Sequence, residues 1–250
     1  TMKKYLEANT PYKFSINIPQ SYIAVVEAFG SKRADIAAMN TFGYILANEK
    51  YGAEARLTVL RHGHKTYGGQ IVVKNDSKYK ELKDLQNKKI AFVDPASTSG
   101  YLLPLKMLTD AGVTMKDTVF GQKHDSVISM VYQGQVDAGA TFYSPPAEGE
   151  IQDARRLVKT QYPDVEKKIR ILKLTEEIPN DPVVFRKDMP EEMKVKITKA
   201  FLDFIATEEG KAAWKAIYAV TSLEVATDKD YDGVREMLKK LGKSADSLIK

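Results

Sequence analysis

Apolar and polar positions follow two alternating periods along this chain. Short apolar runs such as KKIAFV (88–93) predict buried strands, whereas longer runs such as HDSVISMVYQGQ (124–135) predict amphipathic helices. The predicted strands are residues 12–18, 34–39, 55–63, 67–75, 88–93, 117–121 and 136–143, and residues 169–187 are predicted as strand, turn and strand. The predicted helices are residues 21–32, 42–52, 81–88, 101–112, 124–135 and 151–163, and the chain from residue 190 onward is also predicted to be helical.

Several helix ends carry recognisable signals. Ser21 lies near the start of one apolar helix, and Gly52 stops another. Asp125 or Ser126 is the candidate cap of the helix over 124–135, and Pro190 suits the first turn of the helical tail. Because strands and helices alternate, the sequence predicts an α/β fold with parallel sheets, in which ligands bind where strands end and helices begin.

Composition narrows the class of protein. The 250 residues suit one large domain or two small ones, and no apolar run approaches the length of a membrane-spanning helix. The chain has no cysteine, which excludes disulfides, thiolate metal sites and cysteine nucleophiles. Its net charge of +5 comes from lysines dispersed among acids, which disfavours a nucleic-acid surface.

The first residues, TMKKYLEANT, do not resemble a signal peptide, because Glu7 and Asn9 interrupt any apolar core. A signal that had already been removed would leave no trace. The cellular compartment therefore stays open at this point.

The run DPASTSG (94–100) places three hydroxyl residues, Ser97, Thr98 and Ser99, between a predicted strand and a predicted helix. One hydroxyl is enough to cap a helix, whereas three of them together with unpaired N-terminal amides suit a tetrahedral oxyanion. A serine nucleophile is disfavoured because the first glycine of a G-x-S-x-G elbow is missing. A cap and an anion site remain open, and the two are compatible.

The chain has three histidines. His62 and His64, in RHGHK, could hold a metal from one side of a strand, but a third ligand is not evident, and ordinary strand-end residues are the favoured interpretation. We expect no metal and no cofactor. His124 differs from both because it begins a helix directly after a strand.

Asp181 lies in IPNDPVVF, between Asn180 and Pro182. One interpretation is an acid in a turn, since N-D-P favours turns. The other is a carboxylate aimed at a bound anion that still carries a proton. An ionised carboxylate only accepts hydrogen bonds, so it would favour a P–O–H group over a fully deprotonated anion such as sulfate.

Four runs together resemble one family, the phosphate, phosphite and phosphonate-binding proteins of ABC transporters, a subfamily of the type II periplasmic binding proteins. These runs are SYIAVVEAFGSKRADIA, DPASTSGYLLP, KHDSVISMVYQGQVDAGA and IPNDPVVF. The resemblance implies an α/β fold of two lobes around a ligand cleft, with crossover strands near residues 72–74 and 172–174. Lobe 1 would then comprise residues 1–72 and 174–250, and lobe 2 residues 73–173.

The resemblance also implies the residues of the site. Ser97, Thr98 and Ser99 would bind the oxyanion together with the amides around Gly100, His124 would donate a further hydrogen bond, and Asp181 of the other lobe would accept one. Two tyrosines, Tyr22 and Tyr67, match pocket positions of the family. The weaker candidates are Asn40, Thr41, Gly100 and Tyr143.

The chain departs from the family pattern in two respects. It opens inside the first helix, so we expect the first strand of lobe 1 to be absent from this sequence. After VDAGA it reads TFYSPP, with no acid before Glu148 to bind the amine of an aminoalkyl phosphonate. Phosphate, phosphite or methylphosphonate is therefore the expected ligand.

The sequence thus predicts a monomeric, non-enzymatic solute-binding protein that delivers a small phosphorus oxyanion to an ABC permease. Its expected location is periplasmic, or extracellular and membrane-anchored. One alternative is the ligand-sensing domain of a signalling receptor. A remote alternative is a phosphoester hydrolase that uses His124 and a serine.

Overall fold

The computed structural model describes residues 1–217 and 219–240, which form two compact units. Unit 1 contains residues 1–66 and the described part of 179–240, and unit 2 contains residues 67–178. The division of the chain into lobes at 72/73 and 173/174 stays a prediction. Residues 241–250 of the predicted helical tail lie outside the described part of the chain.

The described elements alternate between strands and helices as the sequence predicts. The strands are β1 (Ile36–Ala38), β2 (Glu54–Arg61), β3 (Thr66–Lys74), β4 (Lys89–Phe92), β5 (Asp117–Phe120), β6 (Ala138–Tyr143), β7 (Ile169–Pro179), β8 (Pro182–Phe185) and β9 (Val220–Val225). The α-helices are α1 (Met2–Asn9), α2 (Tyr22–Gly30), α3 (Thr41–Tyr51), α4 (Leu103–Asp110), α5 (His124–Tyr132), α6 (Val165–Lys168), α7 (Glu191–Ala206), α8 (Glu208–Lys215) and α9 (Asp232–Lys240).

Each unit is built on its own sheet. In unit 1 the strand order is β1-β8-β2-β9, and every pairing is antiparallel. In unit 2 the order is β5-β4-β6-β3-β7; β4 runs parallel to β5 and β6, whereas β3 is antiparallel to β6. The prediction of parallel sheets is therefore wrong for unit 1 and only partly right for unit 2. The reason is that β2 and β7 are each followed by a strand of the other sheet, without the crossover helix that keeps successive strands parallel.

The core of unit 1 lies between its sheet and α7. Along α7, Ile197, Phe201 and Phe204 recur at helical spacing and are buried against Leu57 of β2 and Phe185 of β8. This spacing explains why the helix forms and which face it buries.

The sheet of unit 2 is covered on both faces. Val72 of β3 packs with Val127 and Val131 of α5 on one face, and the next residue back, Ile71, packs with Leu108 of α4 on the other. Because neighbouring strand residues point to opposite faces, a sheet buried on both sides requires the continuous apolar runs seen in the sequence.

Some predicted elements differ from the structure. Residues 12–18 form no strand: Tyr12 and Phe14 pack against the core of unit 1, while Ile16 and Ile18 are 67% and 86% exposed. The helix predicted over 151–163 is a 3₁₀ helix at Ala154–Val158, and that over 81–88 is a 3₁₀ turn at Leu82–Leu85. The helical tail is interrupted by β9, of which Val220 and Leu223 are buried.

The predicted helix ends fare better. Ser21 caps α2 through a bond from the backbone N–H of Ala24, and Gly52 ends α3 with a left-handed φ of 66°, so both predictions are confirmed. The cap of α5 is Lys123 rather than Asp125 or Ser126, because the helix begins earlier than its acidic first turn suggests. Pro190 is the N-cap of α7 rather than a residue of its first turn. Within the part of the chain that the structure describes, no helix is both long and apolar enough to cross a membrane.

Two glycines give a test of the packing in unit 1. A Cβ atom on Gly210 would lie 1.8 Å from the carbonyl oxygen of Phe204, whereas a Cβ on Gly233 of α9 would meet nothing within 4 Å. We expect Gly210→Ala to lower the free energy of unfolding by about 3 kcal/mol because the α7–α8 junction must open. Gly233→Ala, the matched control, should raise it by about 0.5–1 kcal/mol. Urea unfolding measures both, and equal midpoints for the two variants would contradict this packing.

Candidate functional site

The three hydroxyl residues of unit 2 lie at the junction between β4 and α4. Ser97 is the N-cap of a π-helical turn, Thr98–Leu102, that continues directly into α4. The backbone N–H of Gly100 donates to Oγ of Ser97 at 3.0 Å, so the predicted cap is confirmed. Ser97, Thr98 and Ser99 are only 1–3% exposed. The first amides of this turn lie at the positive end of the helix dipole.

Two glycines allow this turn to lie close to the sheet. A Cβ atom on Gly100 would lie 2.5 Å from Cγ2 of Val93, and a Cβ on Gly69 of β3 would lie 2.6 Å from the carbonyl oxygen of Ser99. The absence of a side chain at Gly69 therefore allows the turn with the three hydroxyl residues to approach β3 this closely. Gly69 is not among the residues predicted from the sequence, and the signal for it is the Gly-Gly pair at the start of a strand.

His124 is the first residue of α5 and is buried against Phe142 of β6. The two rings form an edge-to-face pair with centroids 4.9 Å apart, and the backbone N–H of Phe142 donates to Nδ1 of His124 at 3.3 Å. Burial lowers the pKa of His124 to about 4, so the imidazole is neutral near pH 7. Because Nδ1 accepts a hydrogen bond, the proton resides on Nε2, which is then available as an uncharged donor.

Asp94 is a buried acid that the sequence analysis did not select. It lies just before the hydroxyl residues and accepts a hydrogen bond from the backbone N–H of Ala96 at 2.8 Å. Desolvation raises the pKa of Asp94, and the bond from Ala96 partly offsets that rise. Its carboxylate organises the loop between β4 and the π-helical turn.

The remaining candidates of unit 2 lie on neighbouring strands. Tyr67 belongs to β3 and Tyr143 ends β6, and the residue after Tyr67, Gly68, is paired with Tyr143 in the register of the two strands. Both tyrosines are half-buried. Unit 2 thus holds Tyr67 and Tyr143 at one end of the same strand pair.

In unit 1, three candidates lie at the starts of helices. Tyr22 is the first residue of α2 and is half-buried. Asn40 caps α3, with its Oδ1 accepting from the backbone N–H of Gly43 at 2.6 Å, and the buried Thr41 donates from Oγ1 to the carbonyl oxygen of Pro179 at 2.8 Å. Thr41 is thereby tied to the segment that carries Asp181.

Asp181 does not lie in a reverse turn. It falls between β7 and β8, which belong to different sheets, so the interpretation as a turn acid is wrong. The Arg61 guanidinium donates one hydrogen bond to Oδ2 of Asp181 at 2.7 Å and another to Oδ1 of Asn180 at 2.8 Å. Oδ1 of Asp181 is buried and accepts no hydrogen bond from any residue that the structure describes.

Arg61 is the residue of this cluster that the sequence analysis missed. It lies in RHGHK, beside the two histidines that were candidate metal ligands, and its partners are about 120 positions away in the chain. His62 and Gly63 both have left-handed φ values, 50° and 78°, and form a turn closed by backbone bonds between Arg61 and His64. His62 therefore lies in a turn that directly follows β2, and His64 closes that turn. Among the described residues, no group of three or more His, Cys, Asp or Glu side chains could hold a metal ion.

Solved structures of low sequence identity share this fold. A binding protein component of an ABC phosphonate transporter from Pseudomonas aeruginosa superposes with a TM-score of 0.81 at 22% identity, covering 95% of this chain and 79% of that one. Prochlorococcus marinus PhnD1 in complex with methylphosphonate gives 0.80 at 22% identity, covering 97% and 91%. The periplasmic aliphatic sulphonate binding protein of Escherichia coli gives 0.63 at 17% identity, covering 96% and 86%. The predicted α/β fold of the type II periplasmic binding proteins is confirmed.

Within that class, the family model described as "ABC transporter, phosphonate, periplasmic substrate-binding protein" matches residues 1–231. The chain belongs to this family, as the four runs of the sequence predicted, and the family is one of substrate-binding transport proteins.

Two curated relatives agree with this assignment. The phosphonates-binding periplasmic protein of Escherichia coli K12 is 24% identical over 242 residues, which cover 93% of this chain and 70% of that protein. The phosphate-import protein PhnD of Mycolicibacterium smegmatis is 30% identical over 158 residues, which cover 56% of this chain and 48% of that protein. The chain therefore matches about half the length of the mycobacterial relative.

The neutral state of His124 has a measurable consequence. The unfolded chain binds a proton at the ordinary pKa of 6.5, whereas the folded protein binds it only near pH 4. Between these values the unfolded state binds more protons, so this residue lowers stability as the pH falls from 6.5 to 4, by about 3 kcal/mol in full. Urea unfolding of the wild type and of His124→Gln should show a smaller acid loss in the variant. An imidazole that titrates near pH 6.5 by NMR would contradict the burial of His124.

Proposed function

We propose that this chain captures a small phosphorus oxyanion, namely phosphate, phosphite or a short phosphonate, and delivers it to the permease of an ABC transporter. The observation that carries the proposal is the buried turn of Ser97, Thr98 and Ser99 at a helix start, in a chain of the phosphonate-binding family. The relatives named for phosphonate and phosphate, and the structure with methylphosphonate, support the ligand class. We further propose a periplasmic monomer without cofactor that breaks no bond.

The donors proposed for unit 2 are all uncharged. Hydroxyls of Ser97, Thr98 and Ser99 and the first amides of the π-helical turn would bind the anion's oxygens, and Nε2 of His124 would donate one further bond. A dipole and neutral donors attract an anion less strongly than lysines would, but their fixed directions suit a tetrahedral group. Tyr67 and Tyr143 are proposed as lining residues, as are Tyr22, Asn40 and Thr41 of unit 1.

Asp181 is proposed as the acceptor that selects the ligand. Its buried Oδ1 lacks a donor among the described residues, and buried carboxylate oxygens normally have one. A P–O–H group would supply that donor, whereas sulfate, which carries no proton near pH 7, would not. This proposal predicts a preference among anions of similar size and shape.

The acids that follow β6 support a ligand without an amine. Glu148 and Glu150 are exposed, and Glu150 pairs with Lys159. Asp153 is buried, but its carboxylate is bound by Arg155 at 2.8 Å. A carboxylate that binds the ammonium group of a ligand should be buried and have no other cationic partner. None of these three carboxylates meets both conditions.

The geometry of His124 disfavours a hydrolase. A catalytic imidazole of the serine-triad type donates from Nδ1 to a carboxylate, which holds its tautomer and stabilises its charge. In this protein Nδ1 of His124 instead accepts from the backbone N–H of Phe142, and burial keeps the ring neutral. The imidazole is thus arranged as a donor rather than as a general base.

Calorimetry with phosphate, phosphite, methylphosphonate, aminoethylphosphonate and sulfate tests the proposed function. We expect binding of at least one of the first three, weaker binding of aminoethylphosphonate and the weakest binding of sulfate. Asp181→Asn should lower the affinity for the phosphorus ligand about 10- to 100-fold, because a hydrogen bond to a charged acceptor is lost. It should also narrow the preference over sulfate. No binding of any phosphorus ligand would overturn the proposal, and unchanged selectivity would remove Asp181 from its role.

The two adjacent glycines of β3 provide a test of the hydroxyl turn. A Cβ on Gly69 would lie 2.6 Å from the carbonyl oxygen of Ser99 and would push the turn away, whereas a Cβ on Gly68 has its nearest neighbour at 3.8 Å. We expect Gly69→Ala to lower the affinity for the phosphorus ligand about tenfold or more, since the hydrogen-bond donors of the turn lose their alignment. Gly68→Ala serves as the matched control and should bind as tightly as the wild type. Equal affinities for the two variants would show that the turn is not part of the site.

A further inference from the structure

Arg61, the last residue of β2, occupies a fixed position between two acceptors. Its guanidinium reaches Oδ1 of Asn180 at 2.8 Å and Oδ2 of Asp181 at 2.7 Å through different nitrogens. The planar guanidinium presents its donors in a rigid fork. Binding two neighbouring side chains at once therefore fixes the direction of both, and not merely their distance.

Asn180 is itself held from several sides. Its side-chain Nδ2 donates to the carbonyl oxygen of His64 at 2.7 Å, and its backbone N–H donates to the carbonyl oxygen of Lys65 at 3.0 Å. Its own carbonyl oxygen accepts from the hydroxyl of Thr58, and the residue is fully buried. Arg61 thus has one immobile acceptor, so that its second arm can set the orientation of the Asp181 carboxylate.

The pair is largely withdrawn from solvent, which strengthens its electrostatic effect. The side chain of Arg61 is 14% exposed and that of Asp181 is 26% exposed. The guanidinium balances the charge of the carboxylate while occupying only Oδ2. Oδ1 stays buried and accepts no bond from the residues that the structure describes. The carboxylate thereby offers one directed acceptor without adding a net negative charge that would repel an anion.

We propose that Arg61 is a positioning residue for ligand discrimination, which holds Asp181 so that its Oδ1 accepts a hydrogen bond from a protonated phosphorus oxyanion. This inference rests on the proposed function. Arg61 itself touches Asn180 and Asp181, and it acts on the ligand through the carboxylate. Its charge makes an acid tolerable beside an anion, and its fork gives that acid a direction.

A double-mutant cycle tests the inference in the 250-residue chain. The variants are Arg61→Met, Asp181→Asn and the double variant, with phosphite, methylphosphonate and sulfate as ligands in calorimetry. Arg61→Met should lower the affinity for the phosphorus ligands about 10- to 100-fold and reduce the preference for them over sulfate. The reason is that the uncompensated carboxylate loses its fixed orientation and repels the anion. In the Asp181→Asn background, Arg61→Met should lower the affinity by less than about threefold, since the carboxylate on which Arg61 acts is gone.

Two further variants separate positioning from folding and from general charge. Arg61→Lys keeps the cation but has no planar fork, so it should fold and yet recover only part of the selectivity. It replaces Arg61→Met in the cycle if the latter does not fold. Arg56→Met is the matched control, because Arg56 lies on the same strand and pairs with Glu191 and Glu54, not with Asp181. It should leave affinity and selectivity unchanged.

The outcomes distinguish this inference from the proposed function. If the wild type binds none of the phosphorus ligands, the proposed function is overturned and Arg61 has no ligand to discriminate. If the wild type binds but the effects of the Arg61 and Asp181 changes simply add, or selectivity survives Arg61→Met, the positioning role is wrong. A loss of affinity that is equal for phosphite and sulfate would also overturn it, since that is the mark of a merely structural residue.

Discussion

Burial of both faces of the five-stranded sheet is the constraint on which unit 2 depends. Ile71 and Val72 of β3 point into opposite apolar clusters, so a polar side chain in the middle of the sheet needs a partner inside the protein, as Gln70 has in Thr141. Donors must therefore gather where strands end and helices begin. Ser97 to Ser99 follow β4, and His124 opens α5 after β5. The candidate polar residues thus lie where strands end, outside the apolar clusters on the two faces of the sheet.

Much of the architecture could be predicted from local sequence signals, because those signals reflect local physics. The order of strands and helices, the caps at Ser21 and Ser97 and the left-handed end at Gly52 each depend on a few consecutive residues. The sheet directions could not be predicted in this way. They depend on the chain passing from one sheet to the other after β2 and β7, and no local pattern records that passage.

The residues of the candidate site also differ in whether the local sequence predicts them. A run of three hydroxyls at a strand-to-helix junction is visible in the sequence, and its burial follows from the fold. Arg61, by contrast, could not be predicted from the sequence. Its partners Asn180 and Asp181 are distant in the chain, and only the fold brings them together. Residues 12–18 show the converse case. Their alternation is typical of a strand, but a strand also requires a neighbour to pair with.

The hydrogen bond between the Phe142 amide and His124 has one more consequence. Most amides at the end of a strand have a carbonyl oxygen as their acceptor, which does not change with pH. The Phe142 amide donates to an imidazole nitrogen at 3.3 Å, and that nitrogen stops accepting once it is protonated. Protonation of His124 therefore removes a hydrogen bond near the end of β6, in addition to placing a charge in a buried position.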